Sequence, residues 1–376
     1  MEIITNLLKI FGKTDKEAKK NLITVLIGAA LGLVIVFSIA AFDLFGDDSV
    51  EPSEFVEVTE AGDDINLEQL EELRGLGDLS SILKNWALNT SEKSLMQSKN
   101  VVNFLLIGLD AGNFNSDAII IASLNKETEK ICLTSVFRDS YTYIDTASGD
   151  KFAKINACYA NGGAQKLIET IQNDFKIKID YYVSVNFDSF SAIVDVLGGI
   201  PLNVQAYEAA AVRAEIQGDC PSGENVILNG EQALAFCRIR HCDADADVSR
   251  TRRQRQFINA LIAETRNISI SQISPLLNSV IKYVKTDCSV GDLISLGTQA
   301  ITNKWYDYEI VSAAVPSEDH RMDYRGNAWV WIVDYPAAAK QLQETIYGKT
   351  NITLSEDRVT AIDIMRQSLN TGTADP

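Results

Sequence analysis

Three short runs, VVNFLLIGL (Val101 to Leu109), SDAIIIASL (Ser116 to Leu124) and KICLTSV (Lys130 to Val136), are rich in Ile, Val and Leu, the first two runs at adjacent positions as well as alternate ones. Successive side chains on a strand point to opposite faces, so these runs have no face to give to water and need cover on both sides. Downstream, GAQKLIETIQNDF (Gly163 to Phe175) has helical spacing and IDYYVSVNF (Ile179 to Phe187) reads as a further strand. DSFSAIVDVLGGIP predicts a helix with Asp188 as its N-cap and the Gly198-Gly199 pair as its stop. LNGEQALAFCRIR and RTRRQRQFINALIAETR are helical in pattern, and DYEIVSAAV (Asp307 to Val315) supplies a late strand. The alternation predicts an α/β fold, a central mixed β-sheet flanked by helices on both faces. Residues Tyr347 to Pro376 carry little pattern, and no element is predicted there.

Ahead of this block, NLITVLIGAALGLVIVFSIAAF (Asn21 to Phe42) holds no charge. At about 1.5 Å per residue it can span a hydrocarbon core of about 30 Å, so it reads as one transmembrane helix. Lysines 9, 13, 16, 19 and 20 precede it and acids follow, which sets residues 1–20 in the cytoplasm and everything after Phe42 outside. Ser38-Ile39-Ala40 resembles a cleavage site, but the long apolar run and its distance from the N-terminus favour an uncleaved anchor in the cytoplasmic membrane. Residues 43–100 read as an acidic stalk, 101–350 as the catalytic domain and 351–376 as a tail. Of the six cysteines, Cys132 and Cys158 sit in apolar surroundings as packed thiols, while Cys220, Cys237 and Cys242 are the set able to bridge.

A formal net charge of -17 excludes general affinity for nucleic acid, since most of the surface repels phosphate. Any anion must be caught locally. The sequence has no GxSxG elbow, phosphate loop or GxGxxG fingerprint, and with two histidines in the chain a serine triad lacks a suitable context. Asp243, Asp245 and Asp247 imitate the start of a calcium loop, but Val248 and Gln254 stand where Gly and Glu are needed.

Against that acidic background, FCRIRHCDADADVSRTRRQRQFI (Phe236 to Ile258) gathers six arginines. Arg238 and Arg240 are two apart, so an extended backbone puts both on one face. Arg250, Arg253 and Gln254 have the i, i+3, i+4 spacing of one helix face. Converging guanidinium forks grip phosphate oxygens and the charge that develops when a diphosphate is cleaved. Arg252 and Arg255 are assigned to solvent. Asp110 closes one predicted strand and Asp117 opens the next, so a short connection brings two hard oxygen donors to one sheet edge, a pairing suited to Mg²⁺. Arg138 and Asp139 directly follow a buried strand, where α/β sheets gather ligands, and Lys154 in FAKINACYANGG adds a further cation.

These residues, in order, resemble the LytR-CpsA-Psr family of bacterial cell-wall ligases: NFLLIGLDAG, SDAIIIASLN, SVFRDSYTYI, KINACYANGG, IDYYVSVNFDSFSAIVDVLGGIPLNV, LNGEQALAFCRIRH and the aspartate-arginine string to Phe257. The resemblance implies transfer of a glycopolymer, of teichoic-acid or capsular type, from a polyprenyl-pyrophosphate carrier to peptidoglycan, with Mg²⁺ or Mn²⁺ as cofactor and a pyrophosphatase side activity. It makes Asp110 and Asp117 the metal-side acids. Arg138, Arg238, Arg240 and Arg250, with Asp247, become the catalytic set, and Lys154, Arg253, Gln254 and Asp139 substrate contacts. The chain departs from the family at Asn115, where arginine is common, at Phe137, where proline is usual, and at Ala153, which replaces an acid. The Asp110–Asp117 connection is also short.

In the resulting mechanism, a sugar hydroxyl attacks the phosphorus nearest the polymer and polyprenyl phosphate leaves, with Asp139 or Asp247 accepting the proton. The alternative is a non-catalytic scaffold that binds lipid-linked precursors. A phosphatase reporter fused after Pro376 is expected to be active outside the cell; activity only of a cytoplasmic reporter there would place this domain inside and overturn the topology.

Overall fold

The computed structural model describes residues 76–91, 93–109, 114–239, 278–325 and 329–370, with Arg253, Gln256, Phe257 and Ala260 besides. The anchor at Asn21 to Phe42 and Cys242 lie outside these. Among the described residues, no helix is long and apolar enough to cross a membrane. They fall into two units, one holding the residues up to Tyr182 and from Glu309 onward, the other Val183–Tyr308.

The first unit opens with α1 (Leu76–Leu88), β1 (Val101–Leu109), β2 (Ser116–Asn125), β3 (Lys130–Val136), β4 (Tyr141–Thr146), β5 (Gly149–Lys154) and α2 (Gly163–Phe175). The inserted unit follows β6 (Tyr181–Val185) with α3 (Phe187–Val196), β7 (Ile200–Val204), α4 (Ala206–Ile216), β8 (Gly223–Leu228), α5 (Gly230–Arg238), β9 (Lys285–Thr286) and α6 (Val290–Thr302). The chain then returns through β10 (Glu309–Val315), β11 (Arg321–Arg325), β12 (Trp329–Val333), α7 (Tyr335–Tyr347) and α8 (Ala361–Asn370).

In the first unit the strands run in the order β10-β3-β2-β1. β1 with β2 and β2 with β3 are antiparallel, whereas β10 lies parallel to β3, so the sheet is mixed. Leu105, Ile107, Ile119 and Ile121 face a core shared with α1, α2, α7 and α8. On the opposite face Leu106, Ile120, Ala122 and Leu124 are buried too. Two-sided burial is what the unbroken apolar runs required, and the mixed sheet flanked by helices is the predicted fold class.

The folded unit extends past both boundaries read from sequence. Leu79, Leu83 and Ala87 recur every four residues on α1 and lie in the core, so residues from Leu76 are not stalk. At the other end Ala361, Ile362 and Met365 of α8 join the same core. Thr360 and Asp363 exchange side-chain-to-backbone hydrogen bonds at 3.0 Å, a reciprocal cap that starts α8. Arg358 grips Asp334, the N-cap of α7, through both carboxylate oxygens. The predicted N-cap of α3 also moves: Asn186 accepts from the Ser189 amide at 2.9 Å, and Asp188 sits in the first turn, where its charge suits the helix dipole. Cys220, expected among the bridging cysteines, is a buried free thiol, as are Cys132 and Cys158, and Cys237 is buried as well.

Two buried ionisable groups lock α1 to α2. Lys176 caps α2 in the left-handed conformation and sends its ammonium to the end of α1, 2.6 Å from the Trp86 carbonyl and 4.6 Å above the Trp86 ring. Asp174 is 1% exposed and accepts from the Thr142 hydroxyl at 2.7 Å. Burial pushes the Asp174 carboxyl up to about 7, with the Thr142 hydrogen bond and the Lys176 charge opposing it. An unfolded aspartate ionises near pH 4. Between those values the native state holds the extra proton, so this group makes stability fall as pH rises from about 4 to about 7. The Asp174→Asn variant is expected to flatten that slope in thermal unfolding; an unchanged slope relative to the parent would show that Asp174 ionises normally in the fold.

Candidate active site

The strand register brings the predicted acids and the first arginine to one end of the sheet. β1 ends at Leu109 opposite Ser116, the first residue of β2, so the hairpin turns between them. β3 runs antiparallel to β2 with Ile120 opposite Ser135, and its last residue, Val136, therefore points toward the same end. The register slips between Gly108, opposite Ala118, and Leu109, opposite Ser116. Asp117 is the skipped position, a β-bulge of the kind found where a strand re-aims a residue. Asp110 and the side chain of Asp117 lie outside the described residues.

The turn Phe137–Ser140 after β3 is fixed by its backbone. The Phe137 amide donates to the Val315 carbonyl at 3.0 Å, the Trp331 amide to the Asp139 carbonyl at 3.0 Å, and the Asn156 amide to the Arg138 carbonyl at 3.2 Å. The Ser116 hydroxyl donates to the Asn156 carbonyl at 3.2 Å. Asn156 thus ties the β2 start, beside Asp117, to the Arg138 turn.

Lys154, last residue of β5, stands opposite Tyr141 at the start of β4, which places its ammonium beside the same turn. It lies 2.9 Å from one Asp139 oxygen, while Arg138 Nε lies 3.4 Å from the other. The Arg138 side chain is 38% exposed against 14% for Asp139 and 18% for Lys154. Asp139 is accordingly a brace between two cations, and the Arg138 side chain stays the more exposed of the two. Arg321 was missed by sequence reasoning: its guanidinium lies against two neighbouring rings, 4.3 Å from that of Phe137 and 4.5 Å from that of Trp331. The signal available was Phe137 in place of the family's proline, together with the alternating Trp329 and Trp331.

In the inserted unit, Arg238 is the last residue of α5, helical where the sequence reading put an extended backbone. A capping box between Asn229 and Gln232 starts that helix, and Gly230 passes so near α3 that a Cβ would lie 2.0 Å from the Ser191 carbonyl oxygen. The Arg238 guanidinium stacks 4.9 Å over Phe187, 3.7 Å from Glu215, and stays 39% exposed.

Arg253, read from sequence as a substrate contact, is turned inward at 1% exposure. Its Nε donates to Glu208 at 2.9 Å and its Nη1 to the Ile239 carbonyl at 3.2 Å. The other Glu208 oxygen accepts from the Gln205 amide at 2.9 Å and caps α4. A buried guanidinium needs such a counter-charge, and the pair fixes the chain immediately after Arg238. Arg240, Asp247, Arg250 and Gln254 lie outside the described residues, as do Asp243, Asp245, Arg252 and Arg255. Among the described residues no group of three or more metal-binding side chains is gathered.

A mixed sheet flanked by helices, with a braced cation turn at its strand ends, defines an α/β protein. A model of the LytR_cpsA_psr family matches residues 77–346, and the chain belongs to that family. Its relatives include Biofilm regulatory protein A of Streptococcus mutans, 32% identical over 239 residues that cover 57% of this chain and 56% of that protein. The polyisoprenyl-teichoic acid–peptidoglycan teichoic acid transferase TagU of Halalkalibacterium halodurans is 36% identical over 183 residues, 48% of this chain and 58% of that one. The TagU of Bacillus mycoides is 30% identical over 257 residues, 67% and 80% of the two chains. The chain therefore spans little more than half the length of the first two relatives. Among solved structures, protein gbs0355 of Streptococcus agalactiae shares the fold with a TM-score of 0.54 and 25% identity, over 70% of this chain and 92% of that one. TagT bound to LI-WTA shares it at 0.51 and 23%, over 68% and 96%.

Replacing Glu208 by alanine takes a carboxylate away from a buried guanidinium, and is expected to cost about 3–5 kcal/mol of stability. Urea unfolding measures it, and a loss under about 1 kcal/mol, the level of a surface pair, would mean that water reaches Arg253.

Proposed function

We propose that this chain is a membrane-anchored, extracytoplasmic phosphotransferase that moves an anionic glycopolymer from a polyprenyl-pyrophosphate carrier to peptidoglycan. The observation that carries the reading is the Arg138 turn. In a chain of this family, a half-exposed guanidinium is held by backbone bonds from three segments, with the Lys154–Asp139 pair behind it. Rigidly placed cations stabilise charge that develops in phosphoryl transfer without reorganising during the reaction.

In the proposed reaction a sugar hydroxyl oxygen of the acceptor bonds to the phosphorus nearest the polymer. The bond from that phosphorus to the bridging oxygen breaks, and polyprenyl phosphate leaves with the electron pair. Arg138, Arg238, Arg240 and Arg250 would share the diphosphate oxygens, with Lys154 and Gln254 alongside. The hydroxyl proton would go to Asp247 or Asp139; because both Asp139 oxygens already face Lys154 and Arg138, the reading favours Asp247. The hairpin register supports a divalent-cation site, because Leu109 and Ser116, the residues just before Asp110 and Asp117 in sequence, stand opposite one another at one end of β1–β2. Asp110 and Asp117 would hold Mg²⁺, which would neutralise diphosphate charge when bound. Hydrolysis in place of transfer would give the pyrophosphatase side activity.

The Arg138→Ala and Arg238→Ala variants, confirmed folded, are expected to release polyprenyl phosphate from a lipid-linked substrate about 10²–10³-fold more slowly than the parent. Parent-like rates would overturn the site. Tight substrate binding by the parent with no turnover would assign the chain to the non-catalytic alternative.

A further inference from the structure

The hairpin β11–β12 presents a face that the transfer chemistry does not use. Residues opposite one another on antiparallel strands share a face. Asp323 stands opposite Trp331 and Arg325 opposite Trp329, so these four stand on one side, while Val330 and Ile332 turn into the core. Trp329 meets Trp331 edge-on, with ring centroids 4.9 Å apart and planes at 70°. Both indoles are only partly buried. Arg325 and Asp323, each 56% exposed, lie 3.7 Å apart beside them.

The platform is splinted to the Arg138 turn. The Trp331 amide holds the Asp139 carbonyl, and the Arg321 guanidinium packs against both Trp331 and Phe137, the residue before Arg138, whose rings lie 6.1 Å apart. Whatever lies on the indoles therefore sits beside the proposed diphosphate position at a fixed distance.

We propose that this face is a saccharide subsite that seats the glycan of the acceptor, a neutral strand of N-acetylated hexosamines; the proposal rests on the transferase reading above. The C–H bonds on one face of a pyranose are weakly positive and lie well against the negative face of an indole. A guanidinium fork and a carboxylate beside the rings match the paired donors and acceptors of vicinal hydroxyls and acetamido groups. Charge selects the occupant. Arg325 is paired with Asp323 at 3.7 Å, so the two exposed charged residues of the face sum to zero and offer no net attraction to a phosphate polymer. A strand seated there brings a sugar hydroxyl to the turn where the attacking oxygen is needed.

The test uses the full chain in detergent and the β-1,4-linked N-acetylglucosamine tetramer as probe, read by tryptophan fluorescence and calorimetry without any lipid-linked donor. The parent is expected to bind saturably, with Trp329→Ala weakening binding roughly tenfold and Trp329→Phe retaining most of it. Arg325→Ala, at an exposed position that leaves the fold intact, is expected to weaken binding several-fold. No saturable binding by the parent, or equal binding by Trp329→Ala and Arg325→Ala, overturns the proposal. So does salt-sensitive binding of poly(glycerol phosphate) in place of the tetramer. Because no donor is present, loss of tetramer binding with transfer intact sinks the subsite alone. Tetramer binding without transfer sinks the enzymatic reading and leaves the subsite standing.

Discussion

Central strands with no wet face are the constraint from which the rest of the molecule follows. Leu105, Leu106 and Ile107 are successive residues of one strand and all are fully buried, which happens only when both sides of a sheet are covered. Covering one side enlists α1, α2, α7 and α8, drawn from both ends of the chain. With its faces occupied, such a sheet has only its strand ends left for chemistry. Val136, the Leu109–Ser116 hairpin end and Val315 share one end through register alone.

At that end, the placing of charge is a backbone matter first. The Arg138 turn borrows hydrogen bonds from β10, β12 and the segment after β5 before any side chain contributes. Asp139 then orients two cations, and Arg321 is set by stacking against rings. The inserted unit, taken by itself, uses another device: the buried Glu208–Arg253 pair holds the chain next to Arg238 from inside. An arginine can thus hold a neighbouring segment from inside, and such a buried arginine is hard to tell from an exposed one in a sequence.

Spacing carried much of the fold because burial leaves a periodic trace. The bounds of β1 and β3 and of α2 coincide with the runs read from sequence, since unbroken apolar strands and a four-residue stripe each match one geometry. Where burial is thin, the trace fades. α8 buries few residues and was signalled by little more than its Thr360–Asp363 cap, and the hairpins β4–β5 and β11–β12 alternate too briefly to stand out.

The sequence by itself determined the class of fold, the family, and the residues Arg138 and Asp139 as neighbours of a strand end, because local pattern and chain order are one-dimensional properties. Which arginine meets water and which meets a carboxylate was decided only in three dimensions. Arg238 and Arg253 look alike in the string, yet one is half-exposed beside Phe187 and the other is sealed against Glu208. Those partners lie 51 and 45 positions away along the chain. Contacts between distant segments also made a platform of Phe137, Arg321 and Trp331, since cation–π stacking depends on where rings arrive in space and leaves no spacing to read.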